Sequence, residues 1–581
     1  MNFFKLFFAS CLGTVVAFVV IIFLSIAMLA GLSTDSQVSI GEKSVLHLNL
    51  EAPITELEME DALAEIIPGT GNQSYGLLQL KEAIQHAETD PNIEGIYLNT
   101  SYLMTGTASI QELRNSLIDF KKSGKWVISY SDFYTEGAYY LATAADKVYM
   151  YNEGEVEFNG LTSEVLFFKK MFDKLDIKPE IFRVGDFKSA VEPLIREDLS
   201  EENKLQLNSM LNSIYGDMLS GISDARNIPV EKLREISDKM LVRSAPDAVT
   251  YGLVDSLYYD DEIKDIIRGK LGLEKKATIP FVTYRKYKKS YTSSGSSANE
   301  IAVIVADGNI VLGKADQGNV GAETIVQQVR KARNSDRVKA IVLRVNSPGG
   351  VFQAGDMMWR ELMLATKQKP VIASMGDYAA SGGYYIAMVC DTIVAQPTTI
   401  TGSIGVFGIT FDLSKFLDNK IGITSEEVKT GEIGEMLSVA HTMTDVEKSI
   451  MQKSVDEIYE TFTSKAAAGR GMTQDNIKKI ASGRVWTGTQ AKGNGLADVI
   501  GGFDDAVKIA ASKAGVEDYK LRYYPQPRPF IERLMNNWEE DNTRSAIRSE
   551  LGVYYPMYEE WQKVKTLQGV QARMGVEFKV K

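Results

Sequence analysis

Two glycine-rich turns carry the residues that could do chemistry. Asn346-Ser-Pro-Gly-Gly350 follows the apolar run Ala340-Ile-Val-Leu-Arg-Val345. Ala380-Ser381-Gly-Gly383 follows a run that begins Val371-Ile-Ala-Ser374, and it opens a helical pattern. A serine at a tight strand-to-helix turn exposes its Oγ, and the first amides of the helix behind it are unpaired donors. Gly349, Gly350 and Gly382 let backbone N–H groups approach a substrate carbonyl with no side chain in between. Two such turns at the carboxyl ends of parallel strands suit an oxyanion hole beside a nucleophile. A lone Ser-Gly-Gly is ordinarily a plain tight turn, so the chemistry rests on the company these residues keep.

A serine nucleophile needs a base. The chain has 3 histidines. His47 sits in the alternating run Val45-Leu-His-Leu-Asn-Leu50 and His86 in a helical run, where structural roles are expected. His441, in a loop before a helix, stays open as an alternative base. Lysine replaces histidine where burial lowers its pKa. With only 2 cysteines, Cys11 and Cys390, there is no disulfide scaffold or thiolate zinc cluster, and no metal or cofactor is implied.

The elements that must position these residues come in two copies. Asp132-Phe-Tyr-Thr-Glu-Gly-Ala-Tyr-Tyr-Leu-Ala-Thr-Ala-Ala-Asp146 aligns with Asp377-Tyr-Ala-Ala-Ser-Gly-Gly-Tyr-Tyr-Ile-Ala-Met-Val-Cys-Asp391, an offset of 245. The same offset pairs Ile93-Glu-Gly-Ile-Tyr-Leu98 with Val338-Lys-Ala-Ile-Val-Leu343, and within two residues it pairs Gly252-Leu-Val-Asp255 with Gly495-Leu-Ala-Asp498. The body is a tandem duplication. Ile301–Ala306, Ala340–Val345 and Val371–Ser374 read as strands, and Glu323–Asn334, Trp359–Lys367 and Tyr384–Val389 as helices. This alternation predicts an α/β unit with a largely parallel sheet.

Of 581 residues, 44% are hydrophobic and 24% charged, an ordinary globular balance that excludes wholesale disorder. The net charge of −12 argues against nucleic acid as a partner, which needs a basic footprint. Leu6–Leu32 has no charge and follows Lys5. The run exceeds a secretory h-region and suits a retained transmembrane helix, with the N-terminus in the cytoplasm and the body outside it.

The residues Arg183-Val-Gly-Asp-Phe-Lys188-Ser-Ala-Val-Glu-Pro193, Asn346-Ser-Pro-Gly-Gly350, Ala380-Ser381-Gly-Gly-Tyr-Tyr385 and Thr401-Gly-Ser403-Ile-Gly-Val-Phe-Gly408 resemble the signal peptide peptidase A (protease IV) family in its long, duplicated form. The resemblance runs from about Val45 to Val516 and implies the Clp protease/crotonase fold. It implies Ser381 as nucleophile, Lys188 as general base, Ser403 as the hydroxyl that positions the lysine, and Gly349, Gly350 and Gly382 as the oxyanion region. It also implies signal-peptide remnants and short apolar peptides as substrates, a ring-like homo-oligomer such as a tetramer, and a place in the bacterial inner membrane with the catalytic body periplasmic. The repeats then explain a split dyad. Glu136 stands at the Ser381 position, Met104-Thr105 at the Gly349-Gly350 position, and Gly434 at the Lys188 position.

The expected organisation is an anchor and spacer at 1–44, a first repeat at 45–283 and a flexible linker at 284–299. A second repeat at 300–520 and a C-terminal helical tail at 521–581 complete it. The expected activity is a membrane-anchored Ser/Lys endopeptidase. A crotonase-like acyl-CoA enzyme and a non-catalytic membrane peptide-binding scaffold are the alternatives. Closure of the dyad within one chain is favoured, because fusion makes one contact between repeats permanent.

Overall fold

The computed structural model describes residues 38–58, 74–291, 296–315, 318–524 and 569–574, with scattered positions between 7 and 20. The predicted membrane span lies mostly outside these residues. Among the described residues no helix is long and apolar enough to cross a membrane.

Each repeat builds its own sheet. In the first, the strands lie in the order Ser256–Leu257, Lys147–Val156, Trp126–Tyr134, Ile93–Leu98, Ser44–Leu48 and Phe281–Thr283, all paired in parallel. In the second, the order is Val485–Thr487, Ile400–Gly402, Val371–Ala380, Val338–Ser347, Glu300–Asp307 and Lys520–Tyr524. There Thr392–Ala395 and Val499–Ile500 branch from Val371–Ala380, and only Val485–Thr487 pairs antiparallel. The strands are apolar on both faces because helices cover both sides, as a parallel sheet requires. Ile301, Ala302, Val303 and Ile304 are all buried in succession.

The duplication holds in three dimensions. Helices Leu77–Thr89 and Ala322–Asn334 begin 245 residues apart, as do Thr107–Lys121 and Phe352–Thr366. The long helices Glu201–Arg226 and Asp445–Arg470 have 26 residues each, and both start from a hydroxyl cap, Ser200 and Thr444.

A third sheet joins the repeats. Its order is Asn319–Gly321, Asn309–Val311, Gly349–Val351, Gly569–Arg573, Val406–Asp412 and Lys178–Val184. The first repeat's Lys178–Val184 pairs antiparallel with the second repeat's Val406–Asp412 along its whole length, from Lys178 opposite Asp412 to Val184 opposite Val406.

Buried polar contacts fix the same junction. Arg344, fully buried in its strand, gives Nε to Glu56 at 2.8 Å and Nη1 to Glu112 at 2.6 Å. Asp377 accepts from the amide and hydroxyl of Ser109 at 2.9 and 2.6 Å and from the Gly106 amide at 3.2 Å. Burial raises the Asp377 pKa, and these donors at the N-terminus of Thr107–Lys121 offset part of that effect.

Two expectations need correction. The linker is not loose throughout: Tyr284–Lys288 is a helix whose Tyr284 and Tyr287 are buried, and Lys288 pairs with Glu58 at 2.5 Å. The tyrosines, spaced i and i+3, supply the apolar face that Ser/Gly composition concealed. The tail is not helical where it is described. Lys520–Tyr524 extends the second sheet in parallel beside Glu300–Asp307, and Gly569–Arg573 is the fourth strand of the third sheet. Open strand edges in the body capture both segments. Residues 525–568 and 575–581 lie outside the described ones.

Candidate active site

Strand Val371–Ala380 runs straight into Ser381, which caps helix Gly382–Ala387. Ser381 has φ +54° and ψ −113°, a conformation that costs a non-glycine residue about 1–3 kcal/mol. It is held there because its amide donates to Gly402 O and its carbonyl accepts from Tyr385 N, both at 2.8 Å. Ser403 is likewise at positive φ, +49°, and its amide donates to Arg484 O at 2.8 Å.

Lys188 arrives from the other repeat. The ladder of Lys178–Val184 on Val406–Asp412 ends at a glycine turn, and the Lys188 amide bonds back to Gly185 O at 3.2 Å. The side chain is 1% exposed. Its Nζ lies 2.9 Å from Ser381 Oγ, 3.0 Å from Ser403 Oγ and 3.1 Å from the Ser403 carbonyl oxygen. Burial pulls its pKa from an ordinary 10.5 down to about 7, because a desolvated ammonium is disfavoured. One chain thus brings Lys188 and Ser381 together.

The walls around the lysine are glycines. A methyl group on Gly483, at φ +79°, would stand 2.7 Å from Lys188 Cβ, and one on Gly405 would stand 3.2 Å from Lys188 Cδ. Gln206, from the first repeat's long helix, braces the lysine's loop. Its Nε2 donates to Phe187 O at 3.1 Å and Ser189 Oγ at 2.8 Å, while its Oε1 accepts from Val485 N of the second repeat at 3.3 Å. A cavity of about 20 Å³, the room of about one water, lies beside Lys188 and is lined also by Gln206, Ser403, Val485 and Met574.

Gly349 and Gly382 bring their two turns together: a methyl group on Gly349 would stand 2.7 Å from Gly382 N. Gly350 follows in strand Gly349–Val351, and Gly349 N donates to Ser347 Oγ at 3.2 Å. Strand Gly569–Arg573 lies against this turn, with Gly349 opposite Arg573, Gly350 opposite Ala572 and Val351 opposite Gln571.

All six residues singled out from sequence therefore belong to one region. The three histidines do not join it. His441 faces Glu427 at 2.9 Å, His86 bonds to Tyr287 Oη at 2.8 Å, and His47 stacks on Tyr97. In the first repeat Glu136 takes the serine's place, buried and accepting from Gly160 N at 3.0 Å, and burial raises its pKa to about 7. Gln206, Gly483 and the strand Gly569–Arg573 were missed, and Gly405, though within the Thr401–Gly408 motif, was given no role. The alternation of Val570, Ala572 and Met574 with Gln571 and Arg573 was the one available sign of that strand.

Comparisons with known proteins agree with this architecture. The family described as Peptidase family S49 matches residues 119–273 and 364–517, once in each repeat, and the Clp protease family matches 293–399. The chain is 34% identical over 537 residues to the Serine protease SPPA, chloroplastic, of Arabidopsis thaliana, covering 90% of this chain and 78% of that one. It is 35% identical over 489 residues to Protease 4 of Salmonella typhi, covering 82% and 78%. It is 34% identical over 507 residues to Protease 4 of Haemophilus influenzae, covering 83% and 82%.

A duplicated α/β body with parallel sheets and these relatives defines a serine peptidase. The family match recurs in both repeats and the similarity spans most of the chain. The chain belongs to peptidase family S49.

Proposed function

We propose that the chain is a Ser/Lys endopeptidase whose site is assembled from both repeats. The observation that carries this reading is the 2.9 Å approach of the buried Lys188 Nζ to Ser381 Oγ. At a pKa of about 7 the lysine is largely neutral at mildly alkaline pH and has a lone pair for the serine proton. General-base help of this kind is worth roughly 10²–10⁴ in rate. Ser381 Oγ attacks the peptide carbonyl, the oxyanion forms against amides of the Gly349–Gly350 turn and Gly382, and Lys188 returns the proton to the leaving amine. Water, deprotonated by the same lysine, then resolves the acyl-enzyme. Ser403 holds Nζ in line through both its hydroxyl and its carbonyl.

The substrates in this proposal are signal-peptide remnants and other short apolar peptides. The chain acts from a membrane, anchored by residues 6–32 with its N-terminus cytoplasmic and its body periplasmic, and as a homo-oligomer, a tetramer giving eight repeats to the ring. Fluorophosphonate or peptide-aldehyde labelling tests the chemistry. Wild-type chain takes the label at Ser381, and Ser381→Ala does not. Labelling retained by Ser381→Ala, or absent from wild type, refutes the nucleophile. Resistance to alkaline extraction tests the anchor, and light scattering tests the oligomer.

A further inference from the structure

The third sheet contains a strand that does not belong to either repeat. Gly569–Arg573 fills the place between Gly349–Val351, which carries the glycine turn, and Val406–Asp412, which follows Ser403. It is antiparallel to both. Gln571 lies opposite Val351 on one side and Phe407 on the other, and Val570 and Gly569 lie opposite Gly408 and Ile409. The Met574 amide extends the ladder, donating to Pro348 O at 2.7 Å. Edge strands spaced to admit one more strand between them are the surface on which extended peptides bind by strand addition.

The contacts of this segment are those of a bound peptide. Ala572 O presses on the glycines: a methyl group would stand 2.1 Å from it on Gly349 and 2.9 Å from it on Gly382. Ala572 itself is 1% exposed, so only a small side chain fits there. Two residues on, Met574 is buried and lines the small cavity beside Lys188, Gln206 and Val485. The alternation of a strand puts residues 572 and 574 on one face and Gln571 and Arg573 on the other.

Resting on the Ser/Lys reading above, we infer that residues 569–574 are a resident occupant of the chain's own peptide groove. A substrate must displace them, and their pattern, small at 572 and unbranched apolar at 574, is the pattern the groove selects. An occupant tethered to the same chain acts at an effective concentration up to the order of mM. If the open groove is about a tenth populated, the apparent KM stands about tenfold above its intrinsic value.

Full-chain variants test this. Ala572→Glu and Met574→Asp each expel the strand by placing a charge in a buried site. Both are expected to lower KM for a fluorogenic apolar peptide about tenfold and to speed fluorophosphonate labelling of Ser381. The synthetic peptide Gly-Val-Gln-Ala-Arg-Met should inhibit these variants competitively, and its Ala→Glu counterpart should not. Unchanged KM and equal labelling rates in folded variants overturn the inference alone and leave the Ser/Lys reading standing. Absence of labelling in wild type and variants alike overturns both. Should the variants not fold, hydrogen exchange on wild type decides. The amides of 570–574 lose protection when a peptide aldehyde binds if they occupy the groove, and protection retained under saturating aldehyde overturns the inference.

Discussion

Replacing the buried Lys188 with an apolar side chain of similar length, Lys188→Met, should abolish activity and reverse its effect on stability with pH. The pKa falls from 10.5 in the unfolded chain to about 7 in the site, a drop of about 3.5. At about 1.36 kcal/mol per pKa unit, the folded state forfeits about 5 kcal/mol below pH 7 by having to release a proton or bury a charge. Between pH 7 and 10.5 the unfolded chain holds more protons than the native one, so wild-type stability rises with pH in that window and the penalty is gone above 10.5. From pH 6 to 10 the recovery is about 4 kcal/mol by the same linkage. Methionine carries no such penalty. It does forfeit three contacts of Nζ, to Ser381 Oγ, Ser403 Oγ and Ser403 O, and the stranded groups cost about 2–3 kcal/mol in all. The variant is therefore expected to be more stable than wild type by about 2 kcal/mol at pH 6–7 and less stable by about 2 kcal/mol at pH 10. Denaturant unfolding followed by tryptophan fluorescence at several pH values measures the difference. A difference between the two proteins that is flat from pH 6 to 10 would refute burial as the source of a neutral lysine. The companion observation is a wild-type kcat limb that rises with pH through about 7.

Four further outcomes follow from the same geometry. Ser381→Ala and Lys188→Ala each abolish peptide hydrolysis with native circular dichroism, and the double variant is no worse than either, since both act in one proton transfer; near-wild-type turnover in Lys188→Ala would refute the base. Ser403→Ala removes one acceptor from the ammonium, so the pH–rate limb should move to lower pH by up to about one unit while kcat falls; an unmoved limb would refute its contact with the base. Gln206→Leu cuts the bridge from Phe187 O and Ser189 Oγ to Val485 N, and should lower kcat about tenfold or more with KM little changed; an unaltered kcat would show that the lysine's loop is held by other contacts. Co-expressed Ser381→Ala and Lys188→Ala chains should stay inactive, because Lys188 reaches Ser381 of its own chain, and recovered activity would show closure between chains.

The duplication and the site were legible because they rest on local features. Glycine turns, the serine and a motif-bound lysine are visible in short windows. The strands were recognised from apolar runs but cut short, since Val371–Ala380 continues through Asp377, which the apolar pattern does not cover. Helix Phe352–Thr366 begins seven residues before the Trp359 start read from the apolar pattern, and Gly355 falls in the part left out. In the fold Gly355 lies inside the helix, and a Cβ there would meet only the Tyr385 ring at 3.8 Å, an ordinary contact, so the helix tolerates the glycine without depending on it. Gln206 and Gly483 gave no signal, since an amide and a glycine carry no chemistry of their own, and Gly405 was visible only as one glycine within the Thr401–Gly408 motif. Gly405 and Gly483 stand beside Lys188 across more than 200 residues of sequence, and Gln206 matters because it ties the lysine's loop to Val485 of the other repeat. The tail strands escaped for the same reason: pairing with distant edges, not propensity, makes them strands.

The two repeats are complementary parts, and the structure explains why separation would not be tolerated. Each supplies what the other has lost, Lys188 from one and Ser381 with Ser403 from the other, while Glu136 and Gly434 stand at the vacated positions. The junction that aligns them is built from groups that cannot stand alone. Arg344 lies fully buried between Glu56 and Glu112 of the first repeat, and Asp377, four residues before Ser381, is satisfied by Ser109 and Gly106. Removing one partner from the buried Arg344–Glu112 pair costs about 3–5 kcal/mol, because the other charge is left without compensation. The 2.9 Å approach of Lys188 to Ser381 is held by the junction's ion pairs and by the seven-residue ladder of Lys178–Val184 on Val406–Asp412. A fused pair of repeats maintains that alignment within one chain. Val406–Asp412 pairs with Lys178–Val184 on one side and with Gly569–Arg573 on the other, so the strand that brings Lys188 to Ser381 also holds the strand that lies against the glycine turn.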